Sequence, residues 1–125
     1  MNIELKSLYL LMACLNLMQQ PTRERFEQLL KTRRMDRALH ELLTNGVFPQ
    51  WFRKNFFFDP LHGTLSGLRE YLSAATANEL VRMDGTNFAY HLELSPRLIA
   101  HLMCDVPLAN DEIRKISKQL ESLLN

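Results

Sequence analysis

Lys31, Arg33, Arg34 and Arg37 put four cations within seven residues. This is the chemistry that grips a phosphate backbone or reads the edge of a base. Arg34 and Arg37 are three apart, so on a helix they share one face. Arg23, Arg25, Arg53 and Lys54 flank them. Residues 23–54 hold eight Lys/Arg against four Asp/Glu, while residues 55–125 hold six against nine. The net charge of +1 hides this division. A basic front and an acidic rear predict one face for a polyanion and another for something else.

Other chemistries leave weaker traces. No nucleophile motif or paired-carboxylate pattern stands out, and Gly63 with Gly67 lacks the GK[ST] ending of a phosphate loop. Asp59, His62 and Ser66 are the nearest approach to a catalytic set, one that chance supplies in most chains of this size. His101 and Cys104 are three apart, but no second pair has zinc-like spacing, so neither a metal nor a cofactor is expected. Cys14 and Cys104 each lie in an apolar run and read as buried free thiols in a reducing compartment. The apolar run 7–18 is interrupted by Asn16. It is too short for a membrane span and lacks the basic start of a signal peptide, so a cytoplasmic protein is expected.

The elements that position the cations follow from periodicity. Phe26, Leu29 and Leu30 form one helical stripe, and Met35, Ala38, Leu39, Leu42 and Leu43 form a second. The stripe swings by roughly 160° between them, which one straight helix cannot bury. Two helices, about 23–31 and 34–44, joined by a tight turn at Lys31–Arg34, can. Pro21 ends the helix before them, Thr22 is placed to cap the second, and Asn45-Gly46 closes the third. That is the outline of a helix-turn-helix whose second member is headed by arginines.

Over residues 5–48 the pattern resembles winged helix-turn-helix DNA-binding domains. RRMDRALHELLTNGVF is similar to their third helix and its exit: a basic start, a small-apolar pair, a leucine pair, then "NG" and a hydrophobic strand. The turn at Lys31-Thr32-Arg33 has no glycine. The resemblance implies binding to double-stranded DNA through the helix that starts near Arg34.

Before this motif, residues 3–19 predict a helix apolar over most of its circumference, the central core helix, a subunit interface, or both. After it, Val47-Phe48 reads as a short strand. Trp51-Phe52 and Phe56-Phe57-Phe58 read either as a small wing paired across Arg53-Lys54-Asn55 or as a helix from Pro49. Basic residues among aromatics also suit base stacking, though such clusters commonly fill a core. Asp59-Pro60 predicts a helix start, with Leu61, Leu65, Leu68 and Leu72 carrying the helix to about Ala75. A loop follows over 74–78. Asp84-Gly85 then predicts a hairpin, with Phe88, Tyr90, Leu92 and Leu94 on one side of its second strand. Ser95-Pro96 starts a helix burying Leu98, Ile99, Leu102 and Met103, which Pro107 ends. Asn110 or Asp111 caps a last helix with Ile113, Ile116, Leu120 and Leu123 at heptad-like spacing.

At 125 residues, 46% hydrophobic and 23% charged, the chain suits one mainly α domain with a small β-hairpin, winged-helix-like in arrangement. Its helix-turn-helix core spans about 3–58, and the hairpin and C-terminal helices span 59–125. The expected function is a non-enzymatic transcriptional regulator binding double-stranded DNA, as a homodimer paired through the first helix, the last, or both. Arg33, Arg34 and Arg37 are the base readers. Arg23, Arg25, Lys31, Arg53 and Lys54 are the phosphate contacts. The rival is a protein-binding adaptor, anti-activator or chaperone-like factor with a protein partner on an exposed apolar helical face.

Overall fold

The apolar circumference of the first helix, α1 (Leu5–Leu17), is matched by cover on most of its sides. A computed structural model describes residues 3–19, 23–84 and 89–125. In it Leu8, Leu10, Leu11, Met12, Ala13, Cys14 and Leu15 are all buried. The core-helix reading of this segment is borne out. Helices α6 (Pro96–Cys104) and α7 (Asn110–Leu124) form its main cover, with α5 (Leu68–Ala77) beside them. Asn16, which broke the apolar run, is buried with both ends of its amide satisfied. Its Nδ2 donates to the Met12 carbonyl at 2.8 Å and its Oδ1 accepts from the Leu94 amide at 3.3 Å. Ser117 Oγ donates to the Cys14 carbonyl at 2.7 Å and ties α7 to α1. Burial pushes the Cys14 thiol up, away from the thiolate. Cys104, expected inside as well, is exposed at the end of α6.

Helices α2 (Phe26–Lys31) and α3 (Arg34–Thr44) are separate, as the change of stripe requires. Arg33 between them takes the left-handed conformation, φ 65°, the role glycine commonly fills. The Thr32 amide closes α2 on the Gln28 carbonyl at 3.0 Å, and the Arg37 amide opens α3 on the Arg33 carbonyl at 3.1 Å. Phe26, Leu29 and Leu30 are buried on α2, and Met35, Ala38, Leu39, Leu42 and Leu43 on α3.

After α3 the aromatic stretch is helical where a wing was one option. Helix α4 (Gln50–Arg53) is a single turn, Val47-Phe48 is not a strand, and Trp51-Phe52 does not pair with Phe56–Phe58. Phe48, Phe52, Phe56 and Tyr71 form a ladder of rings with centroids 4.4, 4.9 and 5.1 Å apart. Ring packing into the core decides against the strand here.

The helix expected from Asp59-Pro60 is instead a hairpin. Strands β1 (Phe57–Asp59) and β2 (Thr64–Ser66) pair antiparallel with Phe57 opposite Ser66, Phe58 opposite Leu65 and Asp59 opposite Thr64. Asp59 Oδ1 accepts from the Leu61 amide at 3.0 Å, and the Gly63 amide donates to the Asp59 carbonyl at 2.8 Å. An aspartate followed by proline opens a turn as readily as a helix. Glycines tip the choice: Gly63 has φ 67°, and Gly67 at φ 101° lies so near the Asn55 carbonyl that a Cβ would meet it at 2.6 Å. Helix α5 therefore starts at Leu68 and runs on to Ala77, through the loop expected over 74–78.

A second antiparallel pair, β3 (Arg82–Asp84) and β4 (Ala89–His91), stands where a hairpin was expected, though shorter. Pro21, Thr22, Gly85 and Phe88 lie outside the described residues, so the first helix's stop, the second's cap and the turn of this hairpin do too. In α6 the Ser95 hydroxyl accepts from the Leu98 amide at 3.2 Å, the expected cap, but Leu98 itself faces solvent. Helix α7 is preceded by Ala109 without a side-chain cap, not capped by Asn110 or Asp111. It buries Leu124 where Leu123 was expected.

Candidate nucleic-acid interface

Helix α3 is packed on two sides, and this defines what it can present. Its contacts to α2, α7 and β2 cover Met35, Asp36, Ala38, Leu39, Leu42 and Leu43. One stripe stays open, Arg34, Arg37, Glu41 and Thr44, at the 3- and 4-residue steps of a single helix face. Its first two members are the arginines singled out in the sequence.

Asp36 anchors that arrangement, although in the sequence it enters only as one of the four acids of residues 23–54. It is buried, and its Oδ2 accepts from the Leu65 amide and from Arg69 Nη1, both at 2.7 Å. Arg69 Nη2 donates to Asp36 Oδ1 at 3.2 Å and to the Leu30 carbonyl at 3.2 Å. One carboxylate thus joins α3 to β2 and α5, and through Arg69 to the end of α2. Its partners lie about thirty residues along the chain, beyond any local pattern.

The two open arginines lean to different neighbours. Arg34 Nη2 donates to the Leu124 carbonyl at the end of α7, at 2.8 Å. The Arg37 guanidinium lies over the β1–β2 turn, where a side chain at Gly63 would meet it at 3.5 Å. Arg33, half-exposed, borders the same glycine. In that turn the His62 hydrogen bond, 2.6 Å to Asp59 Oδ2, holds the Asp59 carboxyl below the usual carboxylate range. Ser66 is at the far end of the ladder, paired with Phe57, so it does not join Asp59 and His62.

One turn beyond Arg37, His40 stacks on Phe58, with ring centroids 4.0 Å apart and planes 9° from parallel. This pair helps line a cleft of about 390 Å³ between α3, α4 and β1, whose rim carries Arg53 and Lys54. Both cations are exposed. Arg53 has no side-chain partner among the described residues, and Lys54 reaches Glu4 only at 3.8 Å. Phe57, at the mouth, is 75% exposed. The structure therefore brings Arg33 and Arg37 to the hairpin turn, and sets Arg53 and Lys54 on the adjoining cleft.

The remaining cations lie elsewhere. Arg23, expected at the surface, is half-buried and donates through Nη2 to the Leu92 carbonyl at 2.6 Å, fastening the chain before α2 to the strand-β4 side. Lys31 pairs with Glu27 on its own helix at 2.7 Å. Arg25 is exposed at the start of α2. The sequence alone does not single out His40, Phe57 and Phe58 as site residues. A histidine three residues after Arg37 was a weak signal, and the fold back of β1 onto α3 could not be read locally. Among the described residues no group of His, Cys, Asp or Glu is placed to hold a metal ion, and no helix is long and apolar enough to cross a membrane. Comparisons with protein-family models, with curated proteins and with solved structures find no match to this chain.

Proposed function

We propose that this protein binds double-stranded DNA as a transcriptional regulator of winged helix-turn-helix type, with α3 as the reading helix. The observation that carries this is the single open stripe of α3, headed by Arg34 and Arg37 directly after the left-handed turn at Arg33. A groove-reading helix needs one face free along its first turns and the other faces fixed to the protein. Here the fixed faces are held by apolar packing and by the Asp36–Arg69 pair. Arginine at such a position reads guanine through two parallel hydrogen bonds. Arg34 can exchange its bond to the Leu124 carbonyl for one to a base edge at little cost, since its side chain is exposed. Arg33 lies in the turn ahead of α3 and off its open stripe, so its proposed role changes from base reader to phosphate contact; with Arg25, Arg53 and Lys54 it sets register without reading sequence. Pairing of two chains on a palindromic site belongs to the same proposal, through a surface other than the buried faces of α1 and α7.

The test is a titration of duplex DNA at two salt concentrations. Arg34→Ala or Arg37→Ala should cost about 1–3 kcal/mol and relax preference at particular base pairs. Lys54→Ala should weaken binding to all sequences alike and lower the salt slope by about one. A wild-type protein that shows no duplex binding even at low salt would overturn the proposal and leave the basic stretch a solvated face. The adaptor reading, which has lost the exposed face of α1 as its support, would then have to rest on the exposed Phe57 and Leu61 of the β1–β2 hairpin.

A further inference from the structure

Of the aromatic residues between Phe48 and Phe58, all but one have their rings engaged. Phe48, Phe52 and Phe56 are buried, Trp51 lies under the Lys6 ammonium at 4.8 Å, and Phe58 is stacked on His40. Phe57 stands apart, three-quarters exposed on a strand held in register by its neighbours. It lies at the mouth of the 390 Å³ cleft, a volume suited to a small planar ligand.

The cleft's chemistry is one-sided. Its lining has no carboxylate, whereas Arg53 and Lys54 stand on its rim. Leu43 and Leu65 contribute apolar surface, and Gln50 and Thr44 contribute donors and acceptors suited to the edge of a heterocycle. An aromatic face beside two cations, over a part-apolar, part-amide pocket, is the combination that holds an unstacked base: the ring stacks and the flanking phosphates meet the cations. A purely apolar partner would leave Arg53 without a counter-charge and Lys54 with only its long contact to Glu4 at 3.8 Å, and a carboxylate-rich peptide would leave Phe57 without a stacking partner.

We infer that this cleft receives a single unpaired nucleobase, stacked on Phe57 with its phosphates against Arg53 and Lys54. The protein then favours DNA in which one nucleotide is out of the stack over fully paired duplex. This rests on the DNA-binding reading and adds a second site beside the stripe of α3. Because the base is extruded by the DNA itself at a bulge, its unstacking is already met there, and stacking on Phe57 appears as added affinity.

The experiment compares one duplex with the same duplex carrying a single-nucleotide bulge, by fluorescence anisotropy at fixed salt. The bulged duplex should bind roughly tenfold more tightly, the gain expected of one base stacked on an aromatic ring. Phe57→Ala should bring the two affinities to within about twofold, and Phe57→Tyr should restore the gap, because tyrosine keeps the stacking face. Phe57 is so exposed that neither change should disturb the fold. Equal wild-type affinity for the two duplexes would overturn the inference and leave the duplex-binding proposal standing. A gap that survives Phe57→Ala would also overturn it. Binding to neither duplex would overturn both together.

Discussion

Arg33 holds a left-handed backbone without a glycine's freedom, at a cost of roughly 1–2 kcal/mol relative to an ordinary helical position. Its backbone makes the closing and opening contacts of the turn, and its side chain has no hydrogen-bond partner among the described residues. Conformation and charge at this residue are therefore separable. Arg33→Gly should leave stability unchanged or raise it by up to about 1 kcal/mol, since relief of strain is partly offset by the larger entropy of a glycine in the unfolded chain. Urea denaturation measures this. A loss of more than about 1 kcal/mol would mean that the arginine side chain itself holds the turn. If Arg33 touches phosphate as proposed, the same variant should bind duplex more weakly at low salt than at high salt, relative to wild type.

At the scale of elements, α3 is oriented by a polar clamp as much as by its apolar faces. Asp36 satisfies the Leu65 amide and both terminal nitrogens of Arg69, so the helix, the β1–β2 hairpin and α5 meet at one carboxylate. Asp36→Ala leaves a buried strand amide without an acceptor and Arg69 without its partner. The expected loss is about 2–3 kcal/mol. It is lower than for a fully buried pair because the Arg69 side chain is 39% exposed and regains water. Thermal or urea unfolding tests the size of the loss. Asp36→Asn should recover part of it by still accepting from Leu65. A change under about 0.5 kcal/mol would show that apolar packing alone sets the pose of α3. The same clamp explains why the open stripe of α3 and the cleft beside Phe57 are presented together: the hairpin that carries Phe57 is fastened to the helix that carries Arg37.

For the molecule as a whole, the question is where the apolar surface of α1 and α7 goes. The expectation of a dimer paired through these helices assumed more apolar surface than one small core needs. The chain wraps α6 and α7 around α1, and Leu120 is fully buried within it. Leu120→Asp should therefore unfold the monomer, at about 4 kcal/mol or more, and not merely separate two subunits. Leu123→Asp, at a position 39% exposed, should cost about 1 kcal/mol or less. Circular dichroism melts of the two variants distinguish the cases. A folded, monomeric Leu120→Asp protein would contradict the core position of α7.

The sequence by itself determined whatever depends on neighbours within a turn or two. The break between α2 and α3 was legible because a 3.6-residue period cannot reverse its apolar side without a new helix. The Ser95-Pro96 start of α6 was legible because a hydroxyl cap and a proline act on the next three residues. The basic head of α3 was legible for the same reason. Tertiary structure decided what depends on partners far along the chain. Asp59-Pro60 serves a turn or a helix equally well, and the close approach of Asn55 to Gly67 chose the turn. The aromatic stretch fits strand or helix equally well, and the ring ladder running to Tyr71 chose α4. Asp36 looked like any surface acid until Arg69 and Leu65 reached it. The apolar circumference of α1 suited a core or an interface alike, and α6 and α7 cover it within one chain. Short-range sterics and hydrogen bonds are written residue by residue. Burial is a property of which distant segments meet, and no window of the sequence contains both sides of that contact.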